Sequence, residues 1–353
     1  MSLGRKMRRY DYSFIKDLKI STGTASLTNK IGIYRVKQKE RKDEYPGVFA
    51  ALESIAKVQS VKGSNAIEGI VTTDKRIEEI VNKNSAPLNH DEREIAGYRD
   101  VLNMIHTEYG SLAVREELIL NMHRIMMSYT SLPGGGYKDQ DNIIISINEQ
   151  GLRSVRFRPV SFEETPEAMN QLILAYLDAK NDAGIDQLIL IPCFILDFLC
   201  IHPFIDGNGR MSRLLSLLLM YKNGIDAGKY ISFEGQINKT KDRYYESLRR
   251  SSENWHTNDN DYVPFIENFL FTLFACYREL DRRFDVVGGK KVNKGNRIEA
   301  TIKNNIVPIS KKEIEELLPD VSKTTIEAKL SELLKQGRIA KTGSYKDARY
   351  VWK

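Results

Sequence analysis

Apolar residues crowd most densely from Leu188 to Ile201, a stretch interrupted only by Pro192 and Asp197, and they return at Leu214, Leu215, Leu217, Leu218 and Leu219. Between the two runs lies a polar segment, His202 to Arg213. Helices that are apolar on every face are buried, so the pattern predicts a polar loop held between two core helices. Pro203 disfavours helix at the residue before it, while Gly207 and Gly209 open backbone conformations that other residues avoid. The loop therefore bends, and its second helix starts near Asn208 or Gly209.

Elsewhere a helical period dominates. It predicts helices over Ser26–Lys42 and Val48–Val61, the latter entered through Pro46. Thr72-Thr73-Asp74 caps a helix to about Asn82, and Asn89 or His90 caps another to about Tyr109. Further helices follow over Leu112–Ser128, Pro166–Lys180 and Tyr262–Phe284. Strand-like segments at Asn142–Ile147 and Ser154–Val160, joined through Asn148–Gly151, predict one β-hairpin. After a glycine- and lysine-rich linker, Val286–Gly295, come helices over Arg297–Asn305, Ser310–Leu318 and Ser322–Gln336. Ser310 and Glu313 form a capping box, and Gly337 ends the third helix. Two strands, Arg338–Thr342 and Ala348–Trp352, then flank a turn at Gly343–Asp347, a winged helix-turn-helix pattern. The expected class is mainly α with a small α+β module, divided as residues 1–110, 111–285 and 294–353.

With 353 residues, 41% of them hydrophobic, the chain can bury a substantial core. The basic stretch Arg5–Arg9 leads into no apolar run, and Leu188–Ile201 is too short to span a bilayer, which predicts a cytoplasmic protein without membrane partners. Cys193, Cys200 and Cys276 sit in apolar surroundings without a Cys-x-x-Cys pair, which argues against zinc and disulfides. Nucleotide-binding glycine fingerprints of the Walker and dinucleotide types are absent. Of a net charge of +6, residues 294–353 hold thirteen Lys and Arg against eight Asp and Glu. That excess makes DNA a candidate partner of the carboxy-terminal module, through Ser322, Lys323, Thr324 and Thr325 at the start of its third helix.

The polar loop carries the chemistry. A helix start near Asn208 presents free N–H groups and a partial positive charge, which together make an anion site. Arg210 and Arg213 share one face of its first turn, against the helix dipole, so an anion must compensate them. Asp206 beside a polyphosphate is how Mg²⁺ is usually held, with phosphate oxygens and waters completing the shell. His202 is suited to accept a hydroxyl proton near neutrality. Singly, these residues make a turn, a surface histidine or a solvated face; their order between two apolar helices is what singles them out.

His202-Pro203-Phe204-Ile205-Asp206-Gly207-Asn208-Gly209-Arg210, followed by Arg213, resembles the signature of the Fic (Fido) family at every signature position. The resemblance implies a Fic-type helical core with a β-hairpin flap, and transfer of AMP from ATP, with Mg²⁺, to a hydroxyl of a protein side chain. His202 would then deprotonate the acceptor, Asp206 hold the metal, Gly207, Asn208 and Gly209 bind the inner phosphates, and Arg210 and Arg213 clamp the outer ones. Tyr244 and Tyr245 lie where the family walls its adenine pocket. The hairpin, through Ile143, Ile144, Ile145 and Ser146, would register the target segment by strand addition. In that family an arginine often follows Gly136-Tyr137; here Lys138 stands instead. Ser64, Glu68 and Gly69 match the family's amino-terminal inhibitory motif, in which the glutamate pairs with the second arginine, here Arg213; read locally, Glu68-Gly69 is a plain helix end. The implied partners are a target protein, the chain itself as substrate, and a second copy in a homo-oligomer. Competing readings are a DNA-binding regulator with the core as nucleotide sensor, and an enzyme that uses another phosphate donor or removes AMP.

Overall fold

Capping side chains set where several of the helices begin. The computed structural model describes residues 8–147, 153–285, 294–303, 308–343 and 348–353. After a short 3-10 turn come α1 (Thr22–Glu44), α2 (Pro46–Ile67), α3 (Asp74–Lys83) and α4 (His90–Glu108). Ser21, Thr73 and Asn89 cap α1, α3 and α4 through their side chains, and Pro46 occupies the first turn of α2. Next come α5 (Glu116–Met127), the antiparallel hairpin of β1 (Ile144–Ile147) and β2 (Arg153–Phe157), and α6 (Thr165–Lys180). The larger body is completed by α7 (Gln187–Ile201), α8 (Asn208–Lys222), α9 (Ala227–Tyr230), α10 (Phe233–Lys239), α11 (Lys241–Ser252) and α12 (Val263–Asp285). Beyond it lie α13 (Lys294–Lys303), β3 (Ile309–Ser310), α14 (Lys311–Leu317), α15 (Lys323–Lys335), β4 (Ile339–Thr342) and β5 (Arg349–Trp352), with β5 between β3 and β4 in an antiparallel sheet. The fold is mainly α.

Several elements differ from the pattern reading: α9, α10 and α11 have no counterpart in it, and α5 starts at Glu116, four residues after Leu112. α1 starts four residues before Ser26, because Ser21 Oγ accepts from Thr24 N at 3.1 Å. α2 continues past Val61 to Ile67, so Ser64 and Asn65 are helical and buried. β3 was not anticipated; two residues are too few for an alternation to register. The turn at Asn148–Gly151, the linker residues 286–293, residues 344–347 of the last turn and residues 5–7 of the basic stretch lie outside the described residues.

One apolar core runs from Tyr12 to Leu280, and a second joins Ile298, Ile314, Ile326, Leu333 and Ile339. α7 is buried on all faces. Its only charged residue, Asp197, accepts from Tyr12 Oη at 2.8 Å, Trp255 Nε1 at 2.7 Å and Tyr262 Oη at 2.9 Å, and pairs with Arg8 at 3.3 Å. Burial still pushes its carboxyl pKa up, against those partners. The amino-terminal segment, α7 and α12 are thus tied together five residues before His202. α2 packs so closely on α10 that a Cβ at Gly63 would lie 2.9 Å from the backbone of Gly235. That approach brings the end of α2 to the polar loop.

Candidate active site

α7 ends at His202, whose φ of 52° lies in the left-handed region, and α8 opens at Gly207, with φ of 81°. A left-handed histidine is costly and persists because the loop pins it. Asn208 does most of the pinning. Its Oδ1 accepts from Phe204 N at 2.9 Å, and its Nδ2 donates to Phe204 O at 2.7 Å and to His202 Nδ1 at 3.1 Å. Asn142 Nδ2 reaches the same ring nitrogen at 3.0 Å and Phe204 O at 3.1 Å. An amide nitrogen only donates, so Nδ1 is the acceptor and the neutral ring carries its proton on Nε2. Burial, helped by the charge of Lys138 and opposed by Glu68 and Asp206, lowers the His202 pKa to about 4. The ring is neutral at pH 7.

Asp206 is half exposed; its Oδ1 accepts from Gly207 N at 2.6 Å and its Oδ2 lies 3.2 Å from Arg210 Nη2. His123 supports the loop from below. Its ring stacks on Phe204 with centroids 3.7 Å apart, its Nδ1 accepts from Gly135 N at 3.1 Å, and its Nε2 donates to Asp206 O at 3.1 Å. Burial lowers its pKa to about 4, with the Asp206 carbonyl opposing.

Both arginines of α8 are 2% exposed. Arg210 pairs with Glu94 of α4 as well as Asp206. Arg213 donates to Ser64 Oγ at 2.8 Å, Ser64 O at 3.0 Å and Glu68 Oε1 at 2.8 Å. Burial opposes its charge most strongly, yet Glu68 together with Tyr244 and Tyr98 outweighs that and leaves its pKa above the ordinary arginine value. The Glu68 carboxylate also lies over the first turn of α8, where a Cβ on Gly209 would collide with Glu68 Oε1. A carboxylate thus occupies the anion-binding end of the helix. Gly69, with φ of 82°, ends α2, so the motif and the plain helix end are the same residues seen twice.

The remaining sequence-predicted residues lie around this centre. Tyr244 is buried against Phe265, whereas Tyr245 is partly exposed, its ring within 6.0 Å of the Arg156 guanidinium and 5.8 Å of Lys241 Nζ. Ile143 and Ile145 are 46% and 45% exposed on the hairpin, and Ile144 is half-buried. Ser146 pairs with Ser154 through its backbone, and its side chain lies outside the described residues. Asn142, Glu94 and His123 were missed by sequence reasoning. No spacing rule connects them to the loop, since each arrives from another element.

Among the described residues no group of three or more His, Cys, Asp or Glu could hold a metal by itself, and no helix is long and apolar enough to cross a membrane. Residues 113–220 match the Fic/DOC family. A Fido domain-containing protein of Dictyostelium discoideum is 42% identical over 59 residues, 16% of this chain and 41% of that protein. The protein adenylyltransferase fic-1 of Caenorhabditis elegans is 25% identical over 122 residues, 35% of this chain and 22% of that protein. The chain therefore spans less than half the length of these curated relatives. Among solved structures, a Fic family protein from Desulfovibrio desulfuricans superposes with a TM-score of 0.62 at 21% identity, over 95% of this chain and 97% of that one. Fic-1 of C. elegans superposes with a TM-score of 0.53 at 18% identity, over 75% and 72%. At these identities the likeness is one of fold.

Proposed function

Residues 113–220 match the Fic/DOC family, and from that premise we propose that the chain transfers the AMP moiety of ATP to a hydroxyl side chain of a protein, with pyrophosphate as the leaving group, under restraint by Glu68. The observation that carries the proposal is the Glu68 carboxylate against Arg213 and Gly209, an anion already seated where a phosphate group would bind. The free N–H groups at the start of α8 receive the inner phosphates, and Arg213 turns to the outer phosphate once Glu68 is displaced. Catalysis is then mostly positioning and charge neutralisation along an in-line path. Asp206 is a single, half-exposed carboxylate, a donor set that suits Mg²⁺ only together with phosphate oxygens and water. When bound, the metal would neutralise phosphate charge. The exposed edge formed by Ile143 and Ile145 receives the target segment, and Tyr245 borders the adenine.

His202 handles the acceptor proton. Its Nδ1 already accepts from two amides, so at Nε2 it first meets the hydroxyl as a donor. To take the acceptor's proton at Nε2, the ring moves its own proton to Nδ1 and displaces an amide. A second reading is removal of AMP: with the ring in the same switched tautomer, Nε2 takes a proton from a water that attacks the phosphorus as the P–O bond to the side chain breaks, and the imidazolium so formed gives that proton to the departing side-chain oxygen. Incubation with ATP labelled at the α- or the γ-phosphate, Mg²⁺ and candidate proteins, read by mass spectrometry, separates AMP transfer from phosphate transfer. Loss of AMP from a pre-modified protein identifies removal. Absence of all three overturns the proposal.

A further inference from the structure

Lys138 is 3% exposed and has no carboxylate within ion-pair distance among the described residues. Its backbone N–H donates to Pro203 O at 2.8 Å. Its ammonium donates to Ile201 O, at the carbonyl end of α7, at 3.2 Å and to Asn142 Oδ1 at 3.0 Å. The negative end of a helix dipole suits a cation. The bond to Asn142 has a sharper consequence. With Oδ1 committed to Lys138, the carboxamide must present Nδ2 to His202 Nδ1, which it does at 3.0 Å. Asn142 also immediately precedes Ile143 and β1.

We propose that Lys138 is a positioning residue for the transfer reaction: through Asn142 it fixes the ring of His202 and ties that ring to the strand edge that receives the target. The inference rests on the reading that His202 handles the acceptor's proton. The charged and titratable groups facing the Lys138 ammonium are Asp141 from its own segment and His202 from the loop. Burial lowers the Lys138 pKa to about 8, with Asp141 opposing. A guanidinium in its place would stay charged throughout the working range.

The test compares the full-length protein with Lys138→Met and Lys138→Arg. Three quantities are measured: nucleotide Kd by calorimetry, transfer kinetics across pH, and the His202 imidazole titration by NMR. Lys138→Met should lower kcat at least about tenfold while Kd changes by less than about twofold, because the lesion is in positioning and not in nucleotide binding. It should also raise the imidazole pKa above about 4, since a nearby positive charge is gone. Lys138→Arg should keep most of kcat and lack the fall in rate expected of the parent as pH rises through about 8. An unchanged kcat or imidazole titration in Lys138→Met overturns the proposal, as does the same alkaline fall in Lys138→Arg. Should Lys138→Met not fold, the pH profile of Lys138→Arg decides. If His202→Ala transfers normally, the reading of His202 falls, and the imidazole titration still judges the positioning claim separately.

Discussion

Arg210 and Arg213 stand one turn apart on α8, equally buried, and each is met by a glutamate from the amino-terminal helices. The two glutamates differ. Glu94 has a side chain 8% exposed and is held in addition by His90 at 3.0 Å, whereas Glu68 is 33% exposed and sits at the last turn of α2 with Gly69 behind it. Removing one member of a buried pair strands the other and costs about 3–5 kcal/mol. A pair open to water is worth nearer 1.5 kcal/mol, roughly tenfold in an equilibrium. Arg213 moreover makes two bonds to Ser64 besides the one to Glu68. In the proposed function the first pair is a fixture and the second a gate, according to what water can reach.

The largest expected effect lies in the chemistry both arginines serve. His202→Ala should lower transfer by about 10²- to 10⁴-fold and leave nucleotide binding intact, because the histidine acts on the acceptor. Normal transfer by this variant removes the proposed role. Next comes the contrast itself. Glu94→Ala should destabilise the fold by about 3 kcal/mol in urea unfolding, the lower end of the range because Arg210 retains Asp206. Glu68→Gly should cost no more than about 1.5 kcal/mol. Equal losses would erase the distinction between fixture and gate.

A smaller effect is set by pH. His202 and His123 both titrate at about 4 in the folded protein, against about 6.5 when unfolded. Between those values the unfolded chain binds more protons, so stability should fall as pH drops from about 6.5 towards 4 and level off above that window. Both arginines stay charged across it; buried His106, its pKa also lowered, adds to the response, whereas burial of Asp197 and Glu234, which raises their pKa values, opposes it, and His123→Gln should shrink it. A flat urea midpoint from pH 7 to 4.5 would contradict the burial of both rings. The smallest effect concerns the carboxy-terminal module. α15 presents Glu327 and Glu332, paired with Lys311 at 2.6 Å and Lys329 at 2.7 Å, which blunts its basic excess. Duplex DNA should bind weakly at low salt and not at physiological salt. Tight, salt-resistant binding would raise the regulator reading above the transferase one.

Much of this was legible because the loop is contiguous. His202, Asp206, Asn208, Arg210 and Arg213 lie within twelve residues, and the flanking leucines and Asp197-bearing apolar run announce the helices that hold them. Helix starts at Thr73, Asn89 and Ser310 were readable because a capping side chain acts only on the next few N–H groups. Lys138, Asn142, Glu94 and His123 were not readable as site residues, because their meaning depends on elements that meet only after folding. The identity of the His202 proton-bearing nitrogen was equally hidden, since two carboxamides from different segments decide it.

The central claim is that Glu68 blocks the nucleotide's place at Arg213. It is tested most directly by AMP incorporation from α-labelled ATP in the parent, Glu68→Gly, and Glu68→Gly combined with Arg213→Ala. The account predicts that Glu68→Gly raises incorporation about tenfold or more, chiefly into the enzyme itself, and that the double change loses the gain. A Glu68→Gly protein that is folded, binds ATP and incorporates no more AMP than its parent would contradict it.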